Sequence, residues 1–477
     1  MNRLLPLYNL DLTTWVYLAS LLVITVYFKF SPPFRVRNLD LIALVLLSPG
    51  LLLLREPDLA QVGFVWLFIW GAVLFARMFL DPLLVRRPLL EPNLNTSGLV
   101  FLGIALMIFL FSRIGTTEPP QPPPAEIPWV SPGHTAGIET PITQGRAPTS
   151  LTEAIDSSLW EAQSTIQPVA YFEKNSPWQV ISYAQPDSEP EVADLPYWPF
   201  FSMIGYTTQT GSIPPEDSFS QGVRIWRRIL CILSHLAILV GIVVISYRHF
   251  GNGKTGIGVA ALYLLLPSTA MHIDYAAGVL PAALLVWALA AYRWPVACGI
   301  FLGFSTAAIF YPLFLMPLFV SFYWQKGIRR FLIGYSVALG TLLILMFSLG
   351  YGSMLGSHLA FLVQGDSTGI EDGPWGKSFD PAFKLPLQVA FLILSASFAV
   401  WPVRKNLGTL ISGTAALMLA SQSWHVFPGG LNLSWYLPLV LLVFFRPNLD
   451  DRVAQFVRGE GWRLRPRSRS EKVSQIA

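Results

Sequence analysis

Long apolar runs, broken by short clusters of charged, proline and glycine residues, fill most of this 477-residue chain. About 20 consecutive apolar residues cross a bilayer as a helix, and that length is a ruler for parsing the runs. It predicts spans near 13–30, 39–54, 61–80, 97–113, 227–246, 256–273, 275–292, 299–323, 330–350, 386–402, 407–423 and 431–445. The run 299–323 is long for one span, and Tyr311-Pro312 interrupts it. Proline removes a helical hydrogen bond and disfavours helix in the residue before it. This run therefore reads either as one tilted helix or as two half-helices that enter and return. The expected fold is all-α and polytopic, with about 12–13 spans, one broken helix pair and a large irregular extracytoplasmic loop.

Composition agrees with the pattern. Apolar residues make up 53% and charged residues 13%, against about 25% charged in soluble domains. With a mean hydropathy of +0.52, a soluble globular protein is excluded. No signal peptide is expected, because the first run is too long and lacks a basic start and a small-residue cleavage site. Cys231 and Cys298 both fall in apolar runs, which leaves neither a disulfide framework nor a cysteine metal site.

The distribution of charge decides between the two readings of 299–323. If the broken run returns to its starting side, one side holds Arg35 and Arg37, then Arg77, Arg86 and Arg87, then Arg248 and Lys254. The same side holds Arg293, Lys326, Arg329, Arg330, Arg404, Lys405 and the tail that begins at Arg446. Lys and Arg accumulate in cytoplasmic loops. The expectation is an integral protein of a bacterial inner membrane with its N-terminus outside and its C-terminus cytoplasmic. A single helix at 299–323 would invert everything after it and put the basic tail outside.

On that topology, residues 114–223 lie outside. They hold thirteen Asp or Glu against Arg146 and Lys174. The stretch EPPQPPPAEIPWVSP reads as an extended proline-rich spacer, SLTEAIDSSLWEAQ as a short surface helix with a capping-type start, and PYWPFF as a segment at the membrane interface. Five regions follow: an N-terminal membrane addition (1–96), a span leading into the outer loop (97–113), the acidic outer loop (114–223), a membrane core (224–445) and a basic cytoplasmic tail (446–477). The formal charge of +4 thus records orientation and gives no reason to expect nucleic acid; the tail suits anionic lipid headgroups.

The chain has no HExxH or CxxC motif. Chemistry is therefore sought among ionisable groups near the membrane, where they are costly and usually kept for a purpose. Asp274, in HIDYAAGVLP, is expected at the outer end of a span. It reads either as a cap on the next helix or as a carboxylate lining an outward cavity. Arg224, Arg227 and Arg228 begin a span on the outer side against the charge trend. They read either as snorkelling anchors or as a phosphate-holding cluster. His235 and His272 read as hydrogen-bonded packing. The loop between Tyr351 and Lys384 reads as a solvated acidic connection, and Trp424, Trp435 and Tyr436 as part of an interfacial aromatic belt.

In order along the chain stand PYWPFF, the arginine-led span, HIDYAAGVLP and GIFLGFSTAAIFYPLFLMPLF. Over about residues 150–350 this order resembles the membrane core of the C-type glycosyltransferases, in particular their polyprenol-phosphate-sugar-dependent, mannosyltransferase-like branch. Tyr197 and Pro199, Arg224 or Arg227, Asp274, and Gly299, Gly303, Tyr311, Pro312 and Pro317 occupy the places that carry the resemblance. Ile309 stands where the family pattern commonly has lysine. The resemblance implies an extracytoplasmic transfer of a sugar from a polyprenyl-phosphate donor. It also implies a catalytic carboxylate in the outer loop, assigned to Asp156 or Glu153, with Asp187 and Asp194 as rivals. Donor and acceptor binding falls to Asp274, Arg224, Arg227, Arg228 and Tyr311. No cofactor is required by the sequence, and the resemblance leaves room for a divalent cation. The expected partners are the sugar lipid and membrane lipids, with no nucleic acid, and protein partners are left open. A non-catalytic lipid-binding or assembly scaffold, such as a degenerate member of the family, is the competing class.

Overall fold

The computed structural model describes residues 12–31, 33–54, 56–83, 91–116, 216–271, 273, 276–324, 326–348, 381–402, 405–424, 432–447 and 449. These all fall in one compact unit formed by Met1–Thr116 and Pro186–Ala477. Among them nearly every residue is helical. In the N-terminal part lie α1 (Leu12–Tyr27), α2 (Val36–Val45), α3 (Leu47–Leu53), α4 (Ala60–Leu80) and α5 (Thr96–Thr116). Then follow α6 (Glu216–Arg248), α7 (Gly253–Leu265), α8 (Pro267–Met271), α9 (Ala276–Ala290), α10 (Pro295–Ala308), α11 (Met316–Tyr323), α12 (Ile328–Ser348), α13 (Lys384–Val400), α14 (Leu407–Ala420) and α15 (Leu437–Phe445). Among the described residues five stretches are long and apolar enough to cross a membrane: Val36–Leu53, Ala60–Leu83, Thr96–Ile114, Arg228–Arg248 and Ile328–Leu345.

The helix starts follow local chemistry. Asn252 accepts from the Thr255 amide at 3.2 Å to cap α7. Asn406 accepts from the Thr409 amide at 2.8 Å, while the Thr409 hydroxyl accepts from the Asn406 amide at 2.9 Å. This reciprocal pair satisfies donors that the first turn of a helix leaves open. Pro295, Pro317 and Pro438 stand in the first turn of their helices, where a missing N–H costs nothing.

Two helices are interrupted. Leu266 is extended (φ −62°, ψ 131°) between α7 and α8, as the residue before a proline prefers. Periodicity had predicted one span over 256–273. The second break follows α10, where Ile309 is extended (φ −143°, ψ 141°) before a short tight turn at Tyr311–Leu315 and then α11. The proline of the expected Tyr311-Pro312 break is inside that turn, and the helix ends at Ala308, three residues before Tyr311.

After the second break the chain runs back. The Tyr323 hydroxyl at the end of α11 donates to the Tyr292 carbonyl just before α10, at 2.6 Å. Helices α10 and α12 start at this same end and run parallel, Val296 facing Gly334 and Gly303 facing Tyr335 and Ala338. Their close approach requires glycine. A Cβ on Gly299 would collide with the Phe331 carbonyl oxygen, and one on Gly334 with that of Val296.

Other contacts bring further helix termini to that end. His249 bonds the Ala290 carbonyl at 2.9 Å, and the Tyr27 hydroxyl donates to Gly258 at 2.7 Å. Tyr27 meets Phe445, and Phe79 meets Trp401. Arg35, Arg37, Arg77, Arg248, Lys254, Arg293, Lys326, Arg329, Arg330 and Lys405 belong to the termini and loops gathered here. The end of α5, the start of α6, both helix interruptions, the start of α13 and residues 421–424 and 432–436 belong to the opposite end.

Helices α1 to α4, expected as an addition, pack among the others. Helix α4 meets α14, and α1 meets α7 and α8. A buried ion network completes this packing. Arg77 on α4 donates to both carboxylate oxygens of Asp40 on α2, at 3.0 and 3.1 Å. It also donates to Asp81 at 3.1 Å. Arg446, the first residue of the expected tail, is only 1% exposed and pairs with the second Asp81 oxygen. Four charges from α2, the end of α4 and the end of α15 thus neutralise one another where water cannot.

Candidate functional site

At the end opposite the basic loops, α4, α13 and α14 line a partly open cavity of about 370 Å³. That volume is within the range of about 300–1,000 Å³ usual for ligand pockets. On α13 the wall is formed by Leu387, Phe391 and Leu394, whose spacing places them on one helical stripe. Opposite stand Leu67, Gly71 and Phe75 of α4 with Phe68 and Ala72 beside them. Gly71 keeps the space open, since a Cβ there would meet nothing within 4 Å. Leu419 and Ala420 form the floor, and Gln422, Ser423 and Tyr436 add polar groups.

A layer of aromatic rings backs the cavity. The Phe391 ring is 5.5 Å from that of Trp424 and 5.0 Å from that of Phe314. Tyr311 lies 5.2 Å from both Trp424 and Trp435. Ser395 donates to the Phe314 carbonyl at 2.6 Å, which fastens α13 to the turn after α10. Trp424, Trp435 and Tyr436 were expected in an interfacial belt. They are 7%, 0% and 3% exposed, because the turn at 311–315 folds inward and gives them rings to pack against.

A second polar constellation pins the chain beside Asp274. The Ile273 carbonyl accepts from the Cys231 thiol at 2.8 Å and from His235 Nε2 at 3.0 Å. A carbonyl only accepts, so His235 carries its proton on Nε2, and Nδ1 accepts from the Tyr263 hydroxyl at 2.9 Å. His235 is therefore hydrogen-bonded packing, as its position in an apolar run suggested.

The structure locates the residues chosen from sequence unevenly. Tyr311 is buried, 5% exposed, and is absent from the cavity lining, which it approaches through Trp424 and Phe391. Arg228 is partly exposed near the start of the apolar part of α6, beside the exposed Trp226. Helix α6 packs chiefly on α9 and α7, whereas the cavity is built by α4, α13 and α14, so Arg228 and the cavity belong to different helix groups. Arg224 and Arg227 fall within α6, but their side chains lie outside the described residues. So do Asp274, Asp156, Glu153, Asp187, Asp194, and the loop from Tyr351 to Asp380. Among the described residues no three His, Cys, Asp or Glu side chains converge as a metal site.

Sequence reasoning missed two groups. One is the set Asp40, Asp81 and Arg446. The other is Lys384, which begins α13 one turn above Leu387 and had been read only as the end of a loop. The spacing of three and then four residues from Lys384 through Leu387 to Phe391 was the signal available for it.

Compared with known proteins, the chain matches no family model. No curated protein and no solved structure matches it either.

Proposed function

We propose that this protein is an integral membrane glycosyltransferase that takes a sugar from a polyprenyl-phosphate donor at the membrane face opposite its basic loops. The observation that carries the reading is the cavity between α4 and α13, at the end where α7–α8 and α10 are interrupted. Interrupted helices within a membrane are tolerated where the freed backbone is buried in protein or lines a cavity; here the breaks at Leu266 and Ile309 are buried at the same end as the cavity. The order of motifs from PYWPFF to the 299–323 run supplies the reaction class. The positive-inside tendency makes the basic end cytoplasmic. The opposite face, and the acidic segment between α5 and α6, are then extracytoplasmic, in keeping with a bacterial inner membrane.

In this reading Asp156 or Glu153 takes the proton from an acceptor hydroxyl as its oxygen attacks the anomeric carbon. The bond from that carbon to the phosphate oxygen breaks, and polyprenyl phosphate leaves with the electron pair. Arg224, Arg227 and Arg228 stabilise the charge that develops on the leaving phosphate. Asp274 accepts hydrogen bonds from sugar hydroxyls, and Tyr311 supports the aromatic layer behind the lipid cavity. Transfer from a radiolabelled lipid-linked sugar on membranes, comparing wild type with Asp274→Ala and Arg227→Ala, tests these roles. Equal transfer by all three removes the site assignments.

A second reading is favoured by one observation: the cavity wall carries no carboxylate among its described residues. A lipid-binding scaffold needs only that cavity. It is the reading left standing if the protein binds the lipid and no sugar moves from any lipid donor.

A further inference from the structure

We infer that Lys384 and the α4–α13 cavity form a binding site for a single-chain lipid phosphate, Lys384 holding the phosphate while the cavity holds the first part of the prenyl chain. This rests on the donor-lipid reading above and deepens it by adding a residue that holds the head group of the bound lipid, apart from the arginines of α6 that are assigned to the phosphate as it leaves. Lys384 is the first residue of α13 and is half-buried. Residues three and four apart share a helix face, so Lys384 heads the stripe that continues through Leu387, Phe391 and Leu394 into the cavity. Among the described residues no carboxylate is paired with it. A lysine in this position lays its stem on apolar surface and leaves its ammonium at the polar boundary. The site therefore offers one cation and, about one turn below it, an apolar slot open toward lipid.

That layout selects a ligand with an anionic head on an apolar chain. At about 370 Å³ the slot is near the small end of ligand cavities, about 300–1,000 Å³, and suits one chain better than the two of a phospholipid. Gly71, Ala72 and Ala390 leave shallow recesses along an otherwise Leu- and Phe-lined wall. Such recesses take the methyl branches of a prenyl chain, which a straight acyl chain lacks. One wall of the slot is α4, from the N-terminal helices that lie outside the glycosyltransferase-like stretch. Those helices thereby acquire a part in substrate binding.

The test uses the full-length protein purified in detergent, with farnesyl phosphate, farnesol and phosphatidylglycerol as probes and affinity read from tryptophan fluorescence. Wild type is expected to bind farnesyl phosphate more tightly than farnesol or phosphatidylglycerol. Lys384→Gln should weaken farnesyl phosphate about tenfold, the loss of one charge-assisted contact, and leave farnesol unchanged. Lys384→Arg should retain binding, and Ala390→Trp, which fills the slot from its lipid-facing side, should weaken both prenyl probes. The inference is overturned if wild type binds no farnesyl phosphate, if Lys384→Gln binds it as wild type does, or if phosphatidylglycerol binds equally well. Binding in the expected pattern without sugar transfer defeats the glycosyltransferase reading alone. Transfer that survives while Lys384→Gln binding is unchanged defeats only this site.

Discussion

Replacing Asp81 by alanine should destabilise the protein more than any surface change, and the structure gives the reason. Asp81 is fully buried and accepts from both Arg77 and Arg446. Arg77 keeps its two bonds to Asp40 when Asp81 is lost. Among the described residues Arg446 has no second carboxylate. It is 1% exposed and held against Gly408, where even a Cβ would collide with its guanidinium. Breaking a buried pair while leaving one charge behind costs about 3–5 kcal/mol. Extrapolating the trend of Tm sensitivity with chain length to about 1–2 °C per kcal/mol, the melting temperature should fall by about 3–10 °C.

The chain contains its own reporter for this measurement. Cys231 and Cys298 are its two cysteines and both are fully buried, so a thiol-reactive dye reads unfolding as they become accessible. The double variant Asp81→Leu with Arg446→Met removes both charges and should recover most of the loss, because apolar replacement of a buried pair is often neutral or better. A double-mutant cycle then isolates the coupling. Asp81→Ala melting together with wild type, or the double variant melting below the single, would show that the network does not bind the N-terminal helices to the end of α15.

Other expectations follow from single contacts. Gly334→Ala should cost about 1–3 kcal/mol by forcing α10 and α12 apart, whereas Gly340→Ala, where a Cβ meets open space, should be neutral or stabilising by the same melting assay; equal effects would contradict the parallel packing. His235→Phe leaves the buried Tyr263 hydroxyl without its acceptor and should cost about 1–3 kcal/mol, with Tyr263→Phe added to it restoring part of the loss; no recovery would mean that the hydrogen bond is not the cause. Lys254→Cys and Lys326→Cys are exposed positions at the basic end and should both resist a membrane-impermeant maleimide in intact cells and react once membranes are opened. Labelling of one but not the other would deny the return of the chain after α10, and labelling of both in intact cells would invert the orientation.

Much of the fold was legible because its signals are local. Apolar length located the helices, and Pro312 marked the interruption near Tyr311. Charge bias predicted that Arg293 and Lys326–Arg330 share an end, and the Tyr323–Tyr292 bond puts them there. The break at Leu266 was missed because Pro267 stands within a run otherwise apolar enough to read as one span. Asp81 and Arg446 could not be paired from sequence. They are 365 residues apart, and periodicity reports which face is apolar without saying what it meets. For the same reason Trp424 and Trp435 read as surface belt residues, when an inward-folding turn buries them. The cavity depends on what is absent from α4, the side chain of Gly71, and its wall on α13 became visible only when both helices were placed.

The most direct test of the central claim is transfer of labelled sugar by the purified protein in proteoliposomes, with a polyprenyl-phosphate sugar as donor and solubilised membrane material as the source of acceptor. The account predicts that label leaves the lipid only when protein and acceptor are both present, and that Arg227→Ala slows it by about 10²-fold or more, the scale of losing one charge-stabilising donor. Label that stays on the lipid with active-state wild type, across polyprenyl donors of different sugars, would contradict it.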